Sequence, residues 1–120
     1  MTAACELLLA GGGHSHALLL KRWGMQPERR PQQSITLVNR SSTALYSGMV
    51  PGLIAGVYQR DELAIDLRQL CDRAGVAFVE GEITGLHAEE NCLHLRDRPA
   101  LHFDWLSLNV GAVSLSLIHI

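Results

Sequence analysis

Three consecutive glycines directly follow a short apolar segment near the start of the chain, and this junction limits the folds that the chain can adopt. Residues 7–10 read Leu-Leu-Leu-Ala, and Gly11, Gly12 and Gly13 come next. A segment that is apolar at every position and stops at glycine is typical of a strand buried on both faces of a parallel sheet. The sequence therefore predicts an α/β fold whose first strand ends in a glycine turn.

The residues after this turn predict a helix. Large side chains recur at i, i+3, i+4 and i+7, which places them on one helical face: His16, Leu19, Leu20 and Trp23. Gly24 stands where a C-terminal cap is expected. Strand, glycine turn and helix form the first half of a βαβ unit.

Further along the chain, residues 35–38 predict a second strand, and residues 43–58 predict irregular or short helical structure. Asp61 is a candidate N-cap for a helix that runs to Ala74 and ends at Gly75. Residues 76–86 predict strand, broken by Gly81 and Gly85. Turns predicted over residues 88–91 and 97–99 flank a strand at 92–95, which indicates an antiparallel meander. A last apolar strand is predicted over residues 105–110.

Composition excludes several classes of function. The chain has 120 residues, 48% of them hydrophobic, which suits one compact domain. Lys+Arg 10 against Asp+Glu 12 gives a net charge of −2, too balanced for a nucleic-acid binder. No run approaches the about 20 apolar residues of a membrane span, and no signal peptide is evident. Cys5, Cys71 and Cys92 form no metal or redox pair, so we expect free thiols and a cytoplasmic protein.

The glycine turn is the candidate binding element. A pyrophosphate rests on a helix N-terminus where backbone N–H groups are free and no Cβ intervenes. Gly11 and Gly13 fit the first two positions of the GxGxxG dinucleotide fingerprint, whereas His16 occupies the third. Dinucleotide binding is therefore the leading interpretation, and a purely structural glycine turn is the alternative. No Gly-Lys-Ser/Thr follows, which disfavours a phosphate-loop nucleotidase.

The end of the second predicted strand carries no acidic residue to hold ribose hydroxyls, because Asn39 and Arg40 stand there. Asn39 can still bond a hydroxyl and Arg40 can stack on adenine or meet a phosphate; alternatively, both solvate a strand end.

His14 and His16 are two residues apart on a helix and point in different directions, so His16 is interpreted as a core histidine rather than a metal ligand. No general acid or base is predicted.

Four segments occur in an order that resembles a known family: residues 11–16 (Gly-Gly-Gly-His-Ser-His), 46–52 (Tyr-Ser-Gly-Met-Val-Pro-Gly), 65–68 (Ile-Asp-Leu-Arg) and 103–111 (Phe-Asp-Trp-Leu-Ser-Leu-Asn-Val-Gly). Together they resemble the N-terminus of FAD-dependent pyridine nucleotide-disulfide oxidoreductase-like proteins, close to type II NADH dehydrogenases. The nearest resemblance is to the flavoprotein module fused ahead of selenide, water dikinase. The resemblance extends over residues 7–112 and implies a Rossmann-like FAD/NAD(P)-binding fold with a parallel sheet and an inserted antiparallel meander.

The resemblance also implies cofactor contacts. FAD pyrophosphate would meet Gly11, Gly12, Gly13, His14, Ser15 and His16, while Asn39 and Arg40 would lie near the ribose. Tyr46, Ser47 and Gly48 would pass near the flavin, Ile83 would contact adenine through its backbone, and Asn109 and Gly111 would belong to a second flavin motif. NAD(P)H would be the electron donor of the intact protein, with a small-molecule acceptor that the residues do not identify. The redox CxxxxC of the disulfide-reductase branch is absent, which favours a dehydrogenase-like protein.

In this family the FAD domain is interrupted by an NAD(P)-binding domain, so we expect residues 1–114 to be the N-terminal part of an incomplete FAD-binding domain. Residues 115–120 resemble one reading frame of a transposase end sequence used in library preparation, and we expect a non-native tail; an ordinary apolar strand is the alternative. Two other functions stay open. One is a nucleotide-sensing or interaction module without catalysis, and the other is a methyltransferase-like Rossmann domain, in which residues 46–52 would have no role.

Overall fold

The computed structural model describes residues 6–45 and 64–109. These ranges contain two α-helices, a single 3₁₀ turn and nine strands. In chain order they are β1 Glu6–Ala10, α1 His14–Met25, the 3₁₀ turn Pro27–Arg29, β2 Ser34–Asn39, β3 Thr43–Leu45, β4 Ala64–Asp66, α2 Leu67–Ala74, β5 Ala77–Glu80, β6 Ile83–His87, β7 Cys92–Leu95, β8 Arg98–His102 and β9 Trp105–Leu108.

A four-stranded parallel sheet forms the centre of the molecule, with strand order β5-β2-β1-β9. The strand β1 is central because it pairs in parallel with β2 on one side and with β9 on the other, so that Leu8 lies between Thr36 and Leu106. This confirms the predicted parallel α/β sheet. The uniform apolarity of β1 follows from this position, since Leu8, Leu9 and Ala10 are buried between covered faces.

Both α-helices cover one face of the parallel sheet. Their buried side chains and those of the sheet form one apolar cluster, which we call the helix-side core: Leu9, Ala17, Leu20, Trp23, Ile35, Leu37, Leu67, Cys71, Ala74 and Val76. Leu20 and Trp23 belong to it as the helical spacing predicts, and Ala17 completes the same face.

The strands β6, β7 and β8 form an antiparallel sheet that covers the opposite face, which confirms the predicted meander. The second apolar cluster lies between the two sheets: Leu8, Ala10, Val38, Leu86, Leu93 and Leu95. Leu93 and Leu95 alternate with Cys92 and His94 along β7, so β7 directs one face toward the parallel sheet. The fold is therefore three layers: helices, parallel sheet and meander.

The helix α1 extends further than the sequence predicts. Gly24 lies inside it rather than at its C-terminal cap, and Gln26 is the capping residue, with its N–H donating to the Arg22 carbonyl oxygen at 2.8 Å. Gly24 faces α2, where a Cβ would lie 3.4 Å from the Cβ of Arg73, an ordinary van der Waals contact.

The second helix begins later than predicted. It starts at Leu67, and the carboxylate of Asp66 caps it by accepting from the N–H of Gln69 at 3.1 Å. Asp61 lies outside the described residues. The helix cannot start earlier because Ala64–Asp66 pairs with Thr43–Leu45 as an antiparallel ribbon, where irregular or helical structure was predicted. The predicted end is confirmed, since Gly75 adopts a left-handed φ of 70°.

Smaller differences concern the strand ends. The predicted break at Gly81 is confirmed, because β5 ends at Glu80 and β6 begins at Ile83, whereas Gly85 lies within β6 at a register shift and does not end it. The turn predicted at residues 97–99 ends earlier, because β8 already begins at Arg98 and includes Pro99. The described part of β9 ends at Leu108.

Candidate functional site

The candidate site lies where the parallel strands end and α1 begins. Gly11 directly follows β1, and its N–H donates to the carbonyl oxygen of Val38 on β2 at 2.7 Å. Its φ is 97°, a backbone conformation that disfavours any residue with a Cβ. Gly11 therefore allows the chain to leave β1 and turn at once into α1.

The next two glycines are required by close neighbours. A Cβ at Gly12 would overlap Leu67 Cδ1 and would lie 3.1 Å from Asn39 Cγ. A Cβ at Gly13 would lie 2.5 Å from Asn109 Oδ1. The turn is thus packed between the ends of β2 and β9 and the first residue of α2, which brings Gly12, Gly13, Asn39 and Asn109 together.

The carboxamide of Asn39 holds the glycine turn from the β2 side. Its Oδ1 accepts from the N–H of Gly12 at 3.0 Å, and its Nδ2 donates to the carbonyl oxygen of Ser41 at 2.8 Å. The residue that stands where a ribose-binding acid is usual therefore fixes the turn itself. This role does not exclude a ligand contact, since both polar atoms retain further bonding capacity.

The residue Asn109 holds the other side of the turn and caps α1. Its backbone carbonyl oxygen accepts from the N–H of Gly13 at 3.0 Å, and its side-chain Oδ1 accepts from the N–H of His16 at 3.1 Å. Its own N–H donates to the carbonyl oxygen of Ala10 at 2.9 Å. A residue 93 positions away thus supplies the cap that Gly13, lacking a side chain, does not provide.

The N-terminus of α1 has the electrostatic character of an anion site. Its first turn contains no acidic residue, and the N–H of Ser15 has no acceptor within the part of the chain that the structure describes. The helix dipole adds partial positive charge at this end. Since the Ser15 side chain is exposed, this N–H lies at a helix end that solvent reaches.

His16 lies beneath the turn with 3% of its surface exposed, which confirms the prediction of a core histidine. Its Nδ1 donates to the carbonyl oxygen of Gly11 at 2.7 Å, and its Nε2 lies 2.8 Å from Ser107 Oγ. A carbonyl oxygen only accepts, so Nδ1 carries the proton. Burial lowers the pKa of His16 below 6.5, against a smaller opposing effect of the Gly11 bond. The ring is therefore neutral, and the Ser107 hydroxyl donates to Nε2.

The other predicted site residues lie apart from this cluster or outside the described ranges. Arg40 is exposed just beyond Asn39, and Ile83 begins β6, where it packs against the core between the sheets. His14 begins α1, and the structure does not describe its side chain. Tyr46, Ser47, Gly48 and Gly111 lie outside the described residues.

Sequence reasoning missed three residues that the fold brings to this edge. Leu67 packs on Gly12, Ser107 bonds His16, and Glu80 ends β5 beside Asn39. All three lie far from the glycines in sequence, and only the strand pairing places them. Leu67 and Ser107 belong to the segments 65–68 and 103–111 that resemble the family, but no local pattern identifies either as a site residue.

The described ranges contain no group of side chains typical of a redox thiol or a metal site. Cys71 and Cys92 are buried and free, as predicted, while Cys5 lies outside these ranges, and burial raises the pKa of Cys71 to about 12. Among residues 6–45 and 64–109, no three His, Cys, Asp or Glu side chains form a group that could hold a metal ion. No helix in the same ranges is long and apolar enough to cross a membrane.

The three-layer fold is found in solved oxidoreductase structures. The sulfide:quinone oxidoreductase of Aquifex aeolicus superposes with a TM-score of 0.74 at 17% identity, covering 90% of this chain and 24% of that one. NDH2 of Plasmodium falciparum in complex with NADH gives 0.73 at 16% identity, covering 92% and 23%. Reduced CoADR-RHD of Bacillus anthracis gives 0.70 at 19% identity, covering 90% and 20%. No protein-family model and no curated protein sequence matches the chain.

These matches and the site geometry define the class of fold. The chain has a Rossmann-like α/β fold of the FAD/NAD(P)-binding type, with its antiparallel meander in the position predicted from the sequence. It spans about a quarter of the length of the first structures that it matches.

Proposed function

We propose that residues 1–114 are the N-terminal part of the FAD-binding domain of an NAD(P)H-dependent flavoprotein oxidoreductase of the NADH dehydrogenase type. The observation that carries the proposal is the packed glycine turn between a buried parallel strand and α1, with Gly11 at a φ of 97°. This arrangement at the carboxyl edge of a parallel sheet is the general site for a dinucleotide pyrophosphate. The fold shared with several oxidoreductases supports the same class.

The residues present fit the adenosine-pyrophosphate half of FAD. The N-terminus of α1 is free of acidic residues, and Gly12 and Gly13 are half-buried in a turn whose close neighbours leave no room for a Cβ. In the proposed arrangement, the first turn of α1 binds the pyrophosphate, and Asn39 and Arg40 lie beside the ribose. When bound, FAD supplies a two-electron acceptor for the hydride of a nicotinamide.

The protein's own residues would orient that cofactor rather than perform chemistry. His16 fixes the path of the turn by donating to Gly11, and Asn109 keeps α1 aligned with the end of β9. Fixed N–H groups bind an anion without reorganisation, which is how a preorganised site gains affinity. The proposal assigns no general acid or base to the described residues.

The finer parts of the proposal rest on the sequence motifs. The segments 11–16, 46–52, 65–68 and 103–111 together support a relationship to the flavoprotein module fused ahead of selenide, water dikinase. The free cysteines support a cytoplasmic location. The electron acceptor is a small molecule in this proposal, and residues 115–120 are a non-native tail.

Titration of the chain with ADP, adenosine, FAD, NAD⁺ and NADP⁺ tests the proposal. Because only the adenosine-pyrophosphate half of the site is present, we expect weak binding in which FAD and ADP have dissociation constants within about threefold of each other. Adenosine should bind about tenfold more weakly than ADP, because it lacks the anion that α1 binds. Backbone amide shifts of residues 11–16 on addition of ADP would locate the site.

Other outcomes would contradict the proposal. Equal affinity for ADP and adenosine would mean that the α1 N-terminus is not a pyrophosphate site. Binding of NAD⁺ or NADP⁺ without FAD would favour the nucleotide-sensing alternative. Tight, stoichiometric retention of FAD by the 120-residue chain would contradict the assignment of an incomplete domain.

A further inference from the structure

Among the last residues of the four parallel strands, one has a carboxylate side chain. These residues are Ala10 of β1, Asn39 of β2, Glu80 of β5 and Leu108 of β9. A nucleotide held at the carboxyl edge of a parallel sheet usually places its ribose hydroxyls against an acid at the end of the second strand. Here the acid at that edge is one strand further out, on β5.

The register places Glu80 directly beside Asn39. The two are paired across β2 and β5, and paired residues of neighbouring strands direct their side chains to the same face. Leu37 and Phe78, two residues earlier on each strand, both pack on the helix-side core. Asn39 and Glu80 therefore lie on the helix side of the sheet, about 4.8 Å apart along the hydrogen-bonding direction of the backbone.

The carboxamide of Asn39 is already engaged. Its Oδ1 accepts from Gly12 and its Nδ2 donates to Ser41, so its orientation is set by the turn and the following loop. A ribose presents two hydroxyl donors, and a carboxylate with two oxygens accepts both better than an oriented carboxamide does. Asn39, with one lone pair of Oδ1 already bonded to Gly12, can therefore accept from at most one of the two hydroxyls.

The carboxylate of Glu80 lies near one cation and remains accessible. Its Oε1 lies 3.5 Å from Nη2 of Arg68, whose guanidinium also stacks 5.1 Å from the centre of the Phe78 ring. The Glu80 side chain is 50% exposed. Arg68 offsets its negative charge, which limits repulsion of an anionic ligand at the same edge.

The neighbouring carboxylates have other partners. Asp66 caps α2 through Gln69, and Glu82 pairs with Nε of Arg96 at 2.5 Å. Of these three carboxylates, Glu80 is the one that the strand register pairs with Asn39.

We infer that Glu80 supplies the carboxylate that β2 lacks and accepts hydrogen bonds from the ribose hydroxyls of the bound nucleotide. Arg68 is the positioning residue that orients it. This inference rests on the proposed function, since it assigns a further residue to the same nucleotide site.

The test compares ADP with 2′,3′-dideoxy-ADP in the absence of divalent cations, by titration of wild type and variants. Wild type should bind ADP about tenfold more tightly than the dideoxy ligand, which is the gain in affinity expected from a charge-assisted hydrogen bond. In Glu80→Gln, the ratio of the two dissociation constants should fall toward one, and the affinity for the dideoxy ligand should stay nearly that of wild type. Glu82→Gln is the matched control, because it removes a similarly exposed carboxylate two residues away and should keep the preference.

The ligand ratio separates contact with the ribose from a change in fold, since a destabilised variant would lose both ligands together. If Glu80→Gln keeps the wild-type preference, the inference is overturned while nucleotide binding stands. If wild type binds ADP but prefers neither ligand, the inference is also overturned. Failure of wild type to bind ADP at all would overturn both the inference and the proposed function.

Discussion

The imidazole of His16 donates from Nδ1 to the carbonyl oxygen of Gly11 at 2.7 Å and thereby ties the first turn of α1 to the start of the glycine turn. His16 occupies the position where the dinucleotide fingerprint has a third glycine for close helix packing. The ring fills that space, and its Nε2 accepts a hydrogen bond from the Ser107 hydroxyl on β9. His16 therefore connects α1 to the glycine turn and to β9, whereas a glycine at this position would let the helix pack directly on the strand.

This buried imidazole predicts a pH dependence of stability. Its pKa is lowered in the folded state, so the unfolded chain binds a proton more readily. The contribution of His16 to the free energy of unfolding is complete above 6.5 and is lost as pH falls from there through the lowered folded-state pKa. Urea unfolding between pH 7.5 and 5 should show this loss.

The variant His16→Asn isolates that effect, because an asparagine amide can still donate to Gly11 but does not titrate. The difference in unfolding free energy between wild type and variant should therefore shrink as pH falls below 6.5. A difference that stays constant across this range would show that His16 is not the titrating group.

Gly11→Ala should destabilise the fold by about 1–3 kcal/mol, because a Cβ is strained at a φ of 97°. Gly24→Ala is the matched control. Gly24 lies within α1, where its Cβ would be in ordinary contact with Arg73, so alanine should stabilise by up to ~1 kcal/mol through helix propensity. Thermal unfolding of both variants measures the contrast, and equal effects would contradict the role assigned to Gly11.

Asn109→Asp separates the capping of α1 from ligand binding. A carboxylate still accepts from the N–H of His16 and adds a negative charge at a helix N-terminus, so stability should be unchanged or rise by about 0.3–1 kcal/mol at neutral pH. The same charge should weaken ADP binding about tenfold.

The control for this variant is Asn91→Asp, which makes the same charge change on the turn between β6 and β7. It should leave ADP affinity within about twofold of wild type. Undiminished ADP binding by Asn109→Asp would place the pyrophosphate away from the α1 N-terminus.

Cys71 should be inert in the folded protein. It lies in the helix-side core with 1% of its surface exposed, and burial raises its pKa to about 12. Thiolate is the reactive form, so alkylation by iodoacetamide at pH 8 should be slow until urea unfolds the chain. Mass spectrometry of the Cys71 peptide at increasing urea gives the result, and rapid labelling without urea would contradict the packing of α2.

The sequence itself determined the elements whose signals are local. The apolar strand that stops at Gly11, the helical face of His16, Leu20 and Trp23, and the left-handed end of α2 at Gly75 are each written in a few consecutive residues. These patterns were sufficient for the fold class and for the glycine turn, because backbone conformation and burial periodicity depend on near neighbours.

Tertiary structure decided which distant residues complete the site. Asn109 caps α1 from 93 positions away, Asp66 rather than Asp61 starts α2 because Ala64–Asp66 pairs with Thr43–Leu45, and Glu80 lies beside Asn39 only through the register of β2 and β5. Strand pairing joins residues without regard to their separation in sequence, so no local pattern specifies these partners. The sequence identified the three glycines and Asn39 as candidate binding residues. The packing and the hydrogen bonds that require these residues at their positions exist only in the folded protein.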